Sequence, residues 1–330
     1  MTSLPSQMKA IVQPAYGGPD VLEYRDVARP VPTARQVLIK IHASSATAAD
    51  GMMREGFPVV GRLFMGLTQP KRAIPGCNLA GTVVEVGAQV TRFQVGDEVY
   101  GQTLELGCYA EYVCEDEGGV LDLKPANISF AEAAPVCDGA STAMNFLRDI
   151  AKLQPGQRVL IYGASGGVGS AAVQIARSYG ARVTGVCSTR NIEMVKAQGA
   201  HRVIDYTTED FAASGETYDV IFDAVGKSSF AKCRPVLAER GVYLSAVLSL
   251  PLLFQILWTS MFGAQKARFS ATGTRSTAER QSYLSELTEL LSDGRVSTVL
   301  DRDYPLSQMA EAHRYVDTGR KAGNVVITVS

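Results

Sequence analysis

The chain has 330 residues, 46% hydrophobic and 20% charged, long and apolar enough for two domains with separate cores. Its 32 basic and 33 acidic residues leave a formal net charge of −1, so no cationic excess points to nucleic acid or anionic lipid as a partner. The six cysteines (Cys77, Cys108, Cys114, Cys137, Cys187 and Cys233) contain no C-x-x-C pair and do not read as a disulfide framework. MTSLPSQMKA carries no apolar stretch of the signal-peptide kind, and a cytoplasmic protein is expected.

In chain order, the first 125 or so residues hold short alternating runs, QVLIKIHAS, AGTVVEV, GDEVYG and CYAEYVC, separated by glycine-rich turns such as YGGPD and VGDE. They predict an all-β unit of barrel type. The texture changes at LKPANISFAEAA, where Ser129 is placed to cap a helix with Glu132 as its box partner, and an apolar-periodic stretch runs on to about Leu153. LQPGQRVLIYG then feeds a strand, a glycine loop and the helix GSAAVQIARSYG. The strand ARVTGVC, the helix NIEMVKAQG and the strands HRVIDY and YDVIFDAVG follow. This β-α-β-α-β order predicts a doubly wound parallel sheet, making the chain α/β.

Gly241 to Gln265 contains no charged residue. Its first part, GVYLSAV, reads as a buried strand. LPLLFQILWTSMF is shorter than the ~20 residues a bilayer span needs, and it carries Pro251 and Gln255. Read as a helix, it sets Leu250, Leu253, Phe254, Leu257, Trp258 and Met261 on one face. That face could roof an apolar pocket, meet a second subunit or pack on the core. GNVVITVS closes the chain as one more strand.

The most informative string is VLIYGASGGVGSAAVQIA, with Gly163, Gly166 and Gly169 between a strand and a helix. Such a turn needs residues without Cβ so that backbone N–H groups approach a pyrophosphate, and the helix N-terminus adds a positive dipole end. Inside a βαβ unit the pattern points to a dinucleotide. NAD sites usually carry an acid at the end of the second strand. That end here reads Cys187-Ser188-Thr189-Arg190-Asn191. Ser188 and Thr189 as donors and Arg190 as a cation suit a 2′-phosphate, so NADPH is the expected cofactor.

The strings MKAIVQPAYGGPDVLEYRDV, PGCNLAGTVVEVG, VGDEVYG, AEYV, DGASTAMNFL, LQPGQRVLIYGASGGVGSAAVQIA, GAHRVIDY, DVIFDAVG and GNVVITV cover nearly the whole chain in order. They resemble the medium-chain dehydrogenase/reductase superfamily, in its zinc-lacking quinone oxidoreductase (zeta-crystallin-like) branch. The resemblance implies a GroES-like β-barrel catalytic domain over 1–127, a Rossmann domain over 128–301 and a return to the barrel over 302–330, with the active site in the cleft between them. It implies Thr142 at the nicotinamide end, Gly166, Gly167 and Val168 on the pyrophosphate, and Ser188, Arg190 and Tyr206 around the 2′-phosphate. Ala224, Val225 and Gly226 would lie along the adenosine–ribose side, with Leu244, Ser245 and Ala246 at the carboxamide. Asn324 of the returning strand is counted with the cofactor contacts. Relatives commonly join Rossmann edge strands into homodimers, and ARFSATGT suits such an edge.

The departures bear on chemistry. Positions that hold cysteine, Gly-His-Glu and cysteine in zinc-dependent relatives read Thr47, Gly76-Cys77-Asn78 and Cys137 here. Catalytic zinc prefers three His, Cys or carboxylate ligands, so none is expected. Quinone reductase relatives often have Asn at Thr47 and Tyr at Met52. Without a Lewis acid, the expected reaction is hydride addition to an activated acceptor, a quinone or the C=C of an enone. Charge then develops on the carbonyl oxygen, and Thr47 and Asn78 are the candidate donors, with the proton drawn from water. Asp50, Met52, Cys77, Cys137, Phe254 and Trp258 are the candidate substrate neighbours. Asp50 reads as a loop-fixing carboxylate rather than a general acid. Cys77 and Cys137 read either as a thiol pair beside the nicotinamide or as small core residues. His42, His201 and His313 read as structural or exposed. A carbonyl reductase or alcohol dehydrogenase of the same superfamily, and a cofactor-binding regulatory member, remain as alternatives.

Overall fold

The computed structural model describes residues 4–213 and 215–329, and its contacts divide the chain into two units. The first comprises 1–138, 277–292 and 300–330, and the second 139–276 and 293–299.

The first unit opens with an antiparallel hairpin of β1 (Gln7–Val12) and β2 (Glu23–Ala28). Then come β3 (Gln36–Ala46), α1 (Ala48–Glu55), α2 (Arg62–Met65), β4 (Asn78–Val86), β5 (Glu98–Gln102), β6 (Tyr112–Asp116) and β7 (Val120–Leu123). The helices α3 (Phe130–Ala133) and α4 (Val136–Met144) lead out of it. The strand β3 is buried on both faces. Its period of two sends Val37, Ile39 and Ile41 into the main core with Leu79, Val83, Val99 and Leu121, and Leu38 into a second cluster with Met8, Ala10 and Tyr112. The capping box on Ser129 and Glu132 forms, but the helix it starts ends within a turn. The expected single stretch to Leu153 is instead broken at Ala134-Pro135 and ends in a π-helical turn over Asn145–Ile150.

The second unit holds β8 (Arg158–Tyr162), α5 (Gly167–Ser178), β9 (Arg182–Cys187), α6 (Ile192–Ala197), β10 (Arg202–Asp205), β11 (Tyr218–Asp223), α7 (Phe230–Cys233), β12 (Leu237–Ser245), α8 (Leu250–Met261) and β13 (Lys266–Phe269). All six strands are parallel, in the order β10-β9-β8-β11-β12-β13. This is the Rossmann order, and the chain reverses direction between β8 and β11, where ligands bind outside the strand ends.

The chain then returns to the first unit through α9 (Thr277–Ser292), β14 (Leu300–Pro305), α10 (Met309–Asp317) and β15 (Asn324–Thr328). Strand β15 pairs antiparallel with β3 and parallel with β14, completing a seven-stranded sheet. The division differs from the sequence-expected 128–301 span at α9. That helix turns Tyr283, Leu284, Leu287 and Leu291 inward. It is tied to the barrel by Leu121 N–H donating to Gln281 Oε1 (3.1 Å) and by Asn127 Nδ2 donating to the Leu291 carbonyl (2.9 Å).

Candidate active site

The glycine loop lies at the carboxyl end of β8 and opens α5. Gly166 is the N-cap and supplies no side chain to the first N–H groups, and the first turn carries no acid. Those donors and the dipole end are left for an anion. A Cβ on Gly169 would stand 2.0 Å from the Gly163 carbonyl oxygen, so only glycine lets the helix start pack against its own strand end. Sequence reading missed Gly139, whose Cβ would lie 2.8 Å from the Gly167 carbonyl oxygen. That approach sets α4, and with it half-buried Thr142, beside Gly167 and Val168. The cradle fits a dinucleotide pyrophosphate.

The ends of β9 and β10 bring Ser188, Arg190 and Tyr206 into one neighbourhood. Tyr206 N–H donates to the Cys187 carbonyl (3.1 Å), and its half-exposed ring stacks on Tyr162 at 6.5 Å between centroids. Ser188 Oγ accepts from Asn191 Nδ2 (3.4 Å), while the same amide donates to Ser165 Oγ (2.9 Å). Arg190 is exposed. Thr189 is not the phosphate donor the sequence led us to expect. Its hydroxyl donates to Asp205 Oδ2 at 2.5 Å, and Asp205 also accepts from the Thr207 amide and hydroxyl. These bonds hold the Asp205 carboxyl below its usual range. The acid missing from the end of β9 thus enters from β10, whose Asp205 pairs with Cys187.

Asp223, also missed, organises the next loop. Buried at the end of β11, its Oδ1 accepts from the backbone N–H of Val225 (3.1 Å), Gly226 (2.8 Å) and Lys227 (3.3 Å). Its Oδ2 accepts from Ser228 N–H (2.7 Å) and Tyr243 Oη (3.2 Å). The carboxylate therefore shapes the Ala224-Val225-Gly226 turn rather than facing a ligand. Ala246 N–H donates to the Asp223 carbonyl (3.0 Å), which aligns the end of β12. There Leu244 and Ser245 are buried, and Ser245 Oγ is engaged with Val247.

In the first unit, Thr47 caps α1. Its Oγ1 donates to Asp50 Oδ2 (2.7 Å) and accepts from Asp50 N–H (3.2 Å), and its own N–H donates to the same carboxylate (2.9 Å). Burial pushes the Asp50 carboxyl up to about 6, opposed by these bonds and reinforced by Asp138. Asn78 Nδ2 donates to Ser45 Oγ (3.0 Å), and Asn78 Oδ1 is buried with no partner among the described residues. The Thr47 hydroxyl proton thus points to Asp50, and Asn78 gives one of its two amide hydrogens to Ser45. Asn324 precedes Val325, which pairs with Ala46, so it lies near Thr47 in the barrel rather than with the glycine loop's unit. Met52 is partly exposed. The helix α1 is held by buried Arg54, which donates to His313 Nδ1 (2.9 Å) and to Asp317 (2.9 Å) on α10. Burial and Arg54 push His313 down to about 3, so it stays neutral.

Cys77 is partly exposed and Cys137 buried; burial raises both thiols, and the Asp50 and Asp138 carboxylates raise Cys77 further. Among the described residues, no three His, Cys, Asp or Glu side chains are grouped to hold a metal. With Thr47 committed to its cap, the residues at the superfamily's zinc position do not fit that ion.

The helix α8 turns Leu252 and Thr259 inward, and Leu250, Phe254 and Trp258 outward at 73%, 73% and 64% exposure. The apolar face read from the sequence is therefore solvent-facing in the single chain, and the reading that packed it on the Rossmann core is corrected. No helix among the described residues is long and apolar enough to cross a membrane.

Residues 33–126 match the alcohol dehydrogenase GroES-like domain, and residues 198–327 match the zinc-binding dehydrogenase domain. The chain is 36% identical to 2-methylene-furan-3-one reductase of Solanum lycopersicum, over 98% of this chain and 80% of the relative. It is 33% identical to a chloroplastic NADPH-dependent alkenal/one oxidoreductase of Arabidopsis thaliana, over the same shares. The solved quinone oxidoreductase of Coxiella burnetii superposes with a TM-score of 0.84 at 30% identity, over 98% of this chain and 100% of that one.

Proposed function

From a chain that belongs to the medium-chain dehydrogenase/reductase superfamily, as a quinone oxidoreductase-like oxidoreductase, we propose an NADPH-dependent reductase of an apolar activated acceptor, a quinone or the C=C of an enone. One observation carries the reading: the glycine cradle is complete, while the zinc position holds a capping threonine and two protonated thiols. NADPH supplies the hydride when bound. The chain's own part is to hold the pyrophosphate on Gly166, Gly167 and Val168, with Thr142 at the nicotinamide end. Ser188, Arg190 and Tyr206 take the 2′-phosphate, and Asn324 completes the cofactor contacts. Met52, Cys77 and Cys137 border the acceptor, and the exposed Phe254 and Trp258 offer it apolar surface. The relatives' names support the acceptor class. We also propose a cytoplasmic homodimer joined at β13, one of the two edge strands of the parallel sheet.

The test is NADPH consumption against quinones, enones, aldehydes and ketones, repeated with Arg190→Ala. Turnover of quinones or enones is expected, with the variant weakening NADPH about tenfold and sparing NADH. Carbonyl turnover alone would make the protein a carbonyl reductase. An equal effect of the variant on both nucleotides would remove the NADPH assignment.

A further inference from the structure

We propose that Arg280 is the group that binds the acceptor oxygen and stabilises the negative charge that develops on it, a role that rests on the reductase reading above. Hydride addition to the β carbon of an enone moves the C=C electrons toward the carbonyl and leaves an enolate oxygen. A proton from water then completes the α carbon. The enolate needs a donor or a cation in a site of low dielectric. Thr47 gives its hydroxyl proton to Asp50 and Asn78 one amide hydrogen to Ser45, and neither carries a positive charge.

Arg280 provides both. It stands on the inward face of α9, one turn before Tyr283 and Leu284, and is 4% exposed. Its Nη2 donates to a neutral oxygen, Gln102 Oε1, and its Nη1 has no hydrogen-bond partner among the described residues. A buried guanidinium that, among the described residues, is held by an amide oxygen alone is expensive, and an anionic oxygen would relieve it. Its position fits the reaction. Gln102 pairs with Asn78 across β4 and β5, and Thr103 N–H donates to the Cys77 carbonyl (2.8 Å). The cation therefore sits beside the Cys77-Asn78 strand end. Cys77, Cys137 and Glu115 are the ionisable groups that act on it. Burial keeps both thiols protonated and pushes Glu115 up to about 7, so none fully cancels the charge. Cys77 and Gln102 are themselves partly exposed, and the Gln102 oxygen marks where an acceptor oxygen would replace it. A fixed guanidinium thus stands near the two cysteine positions at which zinc-dependent relatives hold their metal.

The experiment compares wild type with Arg280→Met, Arg280→Lys and Arg280→Ala, using 4-nitrophenol as an enolate mimic alongside enone turnover. Wild type should bind the probe as the phenolate, read from its absorption spectrum, and Arg280→Met should not. Arg280→Met should lose about 100-fold in kcat/KM, with the NADPH dissociation constant unchanged. Its melting temperature should hold or rise, because an uncompensated buried charge is removed. Arg280→Lys should keep the phenolate spectrum, and added guanidinium should restore part of the activity of Arg280→Ala. Wild-type kcat/KM or a wild-type phenolate spectrum in Arg280→Met would overturn the proposal. If wild type ionises the probe, Arg280→Met abolishes that, and no enone or quinone turns over, the oxyanion site stands and the reductase reading falls.

Discussion

The buried charges at the candidate sites of the two units are held by different means. In the Rossmann unit, Asp223 is surrounded by four backbone N–H groups and a tyrosine hydroxyl, and Asp205 by two threonines. Both carboxylates are spent on fixing loops. In the barrel unit, Asp50 is held by one threonine cap and Arg280 by one amide oxygen. Asp138 and Lys321 shift toward neutrality through burial, each offsetting part of the other's shift. A saturated charge shapes a surface for a ligand. An unsaturated one keeps its electrostatic capacity for something that arrives later. On the proposed function, this difference would give binding geometry to the second unit and reactive electrostatics to the first.

The largest test of the contrast is Asp223→Ala. Stranding four N–H groups at the end of β11 should cost about 4 kcal/mol and weaken cofactor binding, as read by urea unfolding and nucleotide titration. Stability within about 1 kcal/mol of wild type would mean the loop is fixed by other contacts.

Asp50 gives a smaller effect of the other kind. Its folded value, about 6, lies above the ordinary carboxylate value, so the fold favours its protonated form. That contribution, about 3 kcal/mol, is complete below about pH 4. It fades as the pH rises through 6, where the carboxylate forms facing Asp138 and Tyr109. Asp50→Asn cannot ionise and should flatten the stability profile between those values. An unchanged profile would show that Asp50 is as well compensated as Asp223.

The smallest effect on stability concerns α8. Trp258→Ala removes an exposed ring and should change stability by less than about 0.5 kcal/mol. It should also raise KM for apolar acceptors, and as the only tryptophan Trp258 should report ligand in its emission. Silent emission with unchanged KM would remove α8 from the acceptor's surroundings. A dimer mass in light scattering that falls to the monomer in this variant would assign the face to a second copy instead.

Much of this was legible in the chain. The alternation of QVLIKIHAS, the glycine loop and the βαβ order are local signals, and each became the element it implied, while the Ser129–Glu132 box formed but opened a helix of a single turn. The period of α8 was also legible, but not which way its apolar stripe faced, because its neighbours on β12 and β13 decide that. Asp205 illustrates the limit. Reading along β9 finds no acid, since the acid belongs to the strand paired beside it.

What the sequence determined by itself was the set of elements, their parallel winding and the cofactor cradle, because turns, periods and caps act over a few residues. Tertiary structure decided which polar groups remain available. Thr47 and Thr189 look like donors in the sequence and give their hydroxyl protons to carboxylates in the fold, and Asn78 gives one amide hydrogen to Ser45, while Arg280, in an unremarkable run of polar residues, falls on the inward face of α9. A side chain's hydrogen-bonding capacity is local, but whether it is spent depends on partners brought from tens or hundreds of residues away.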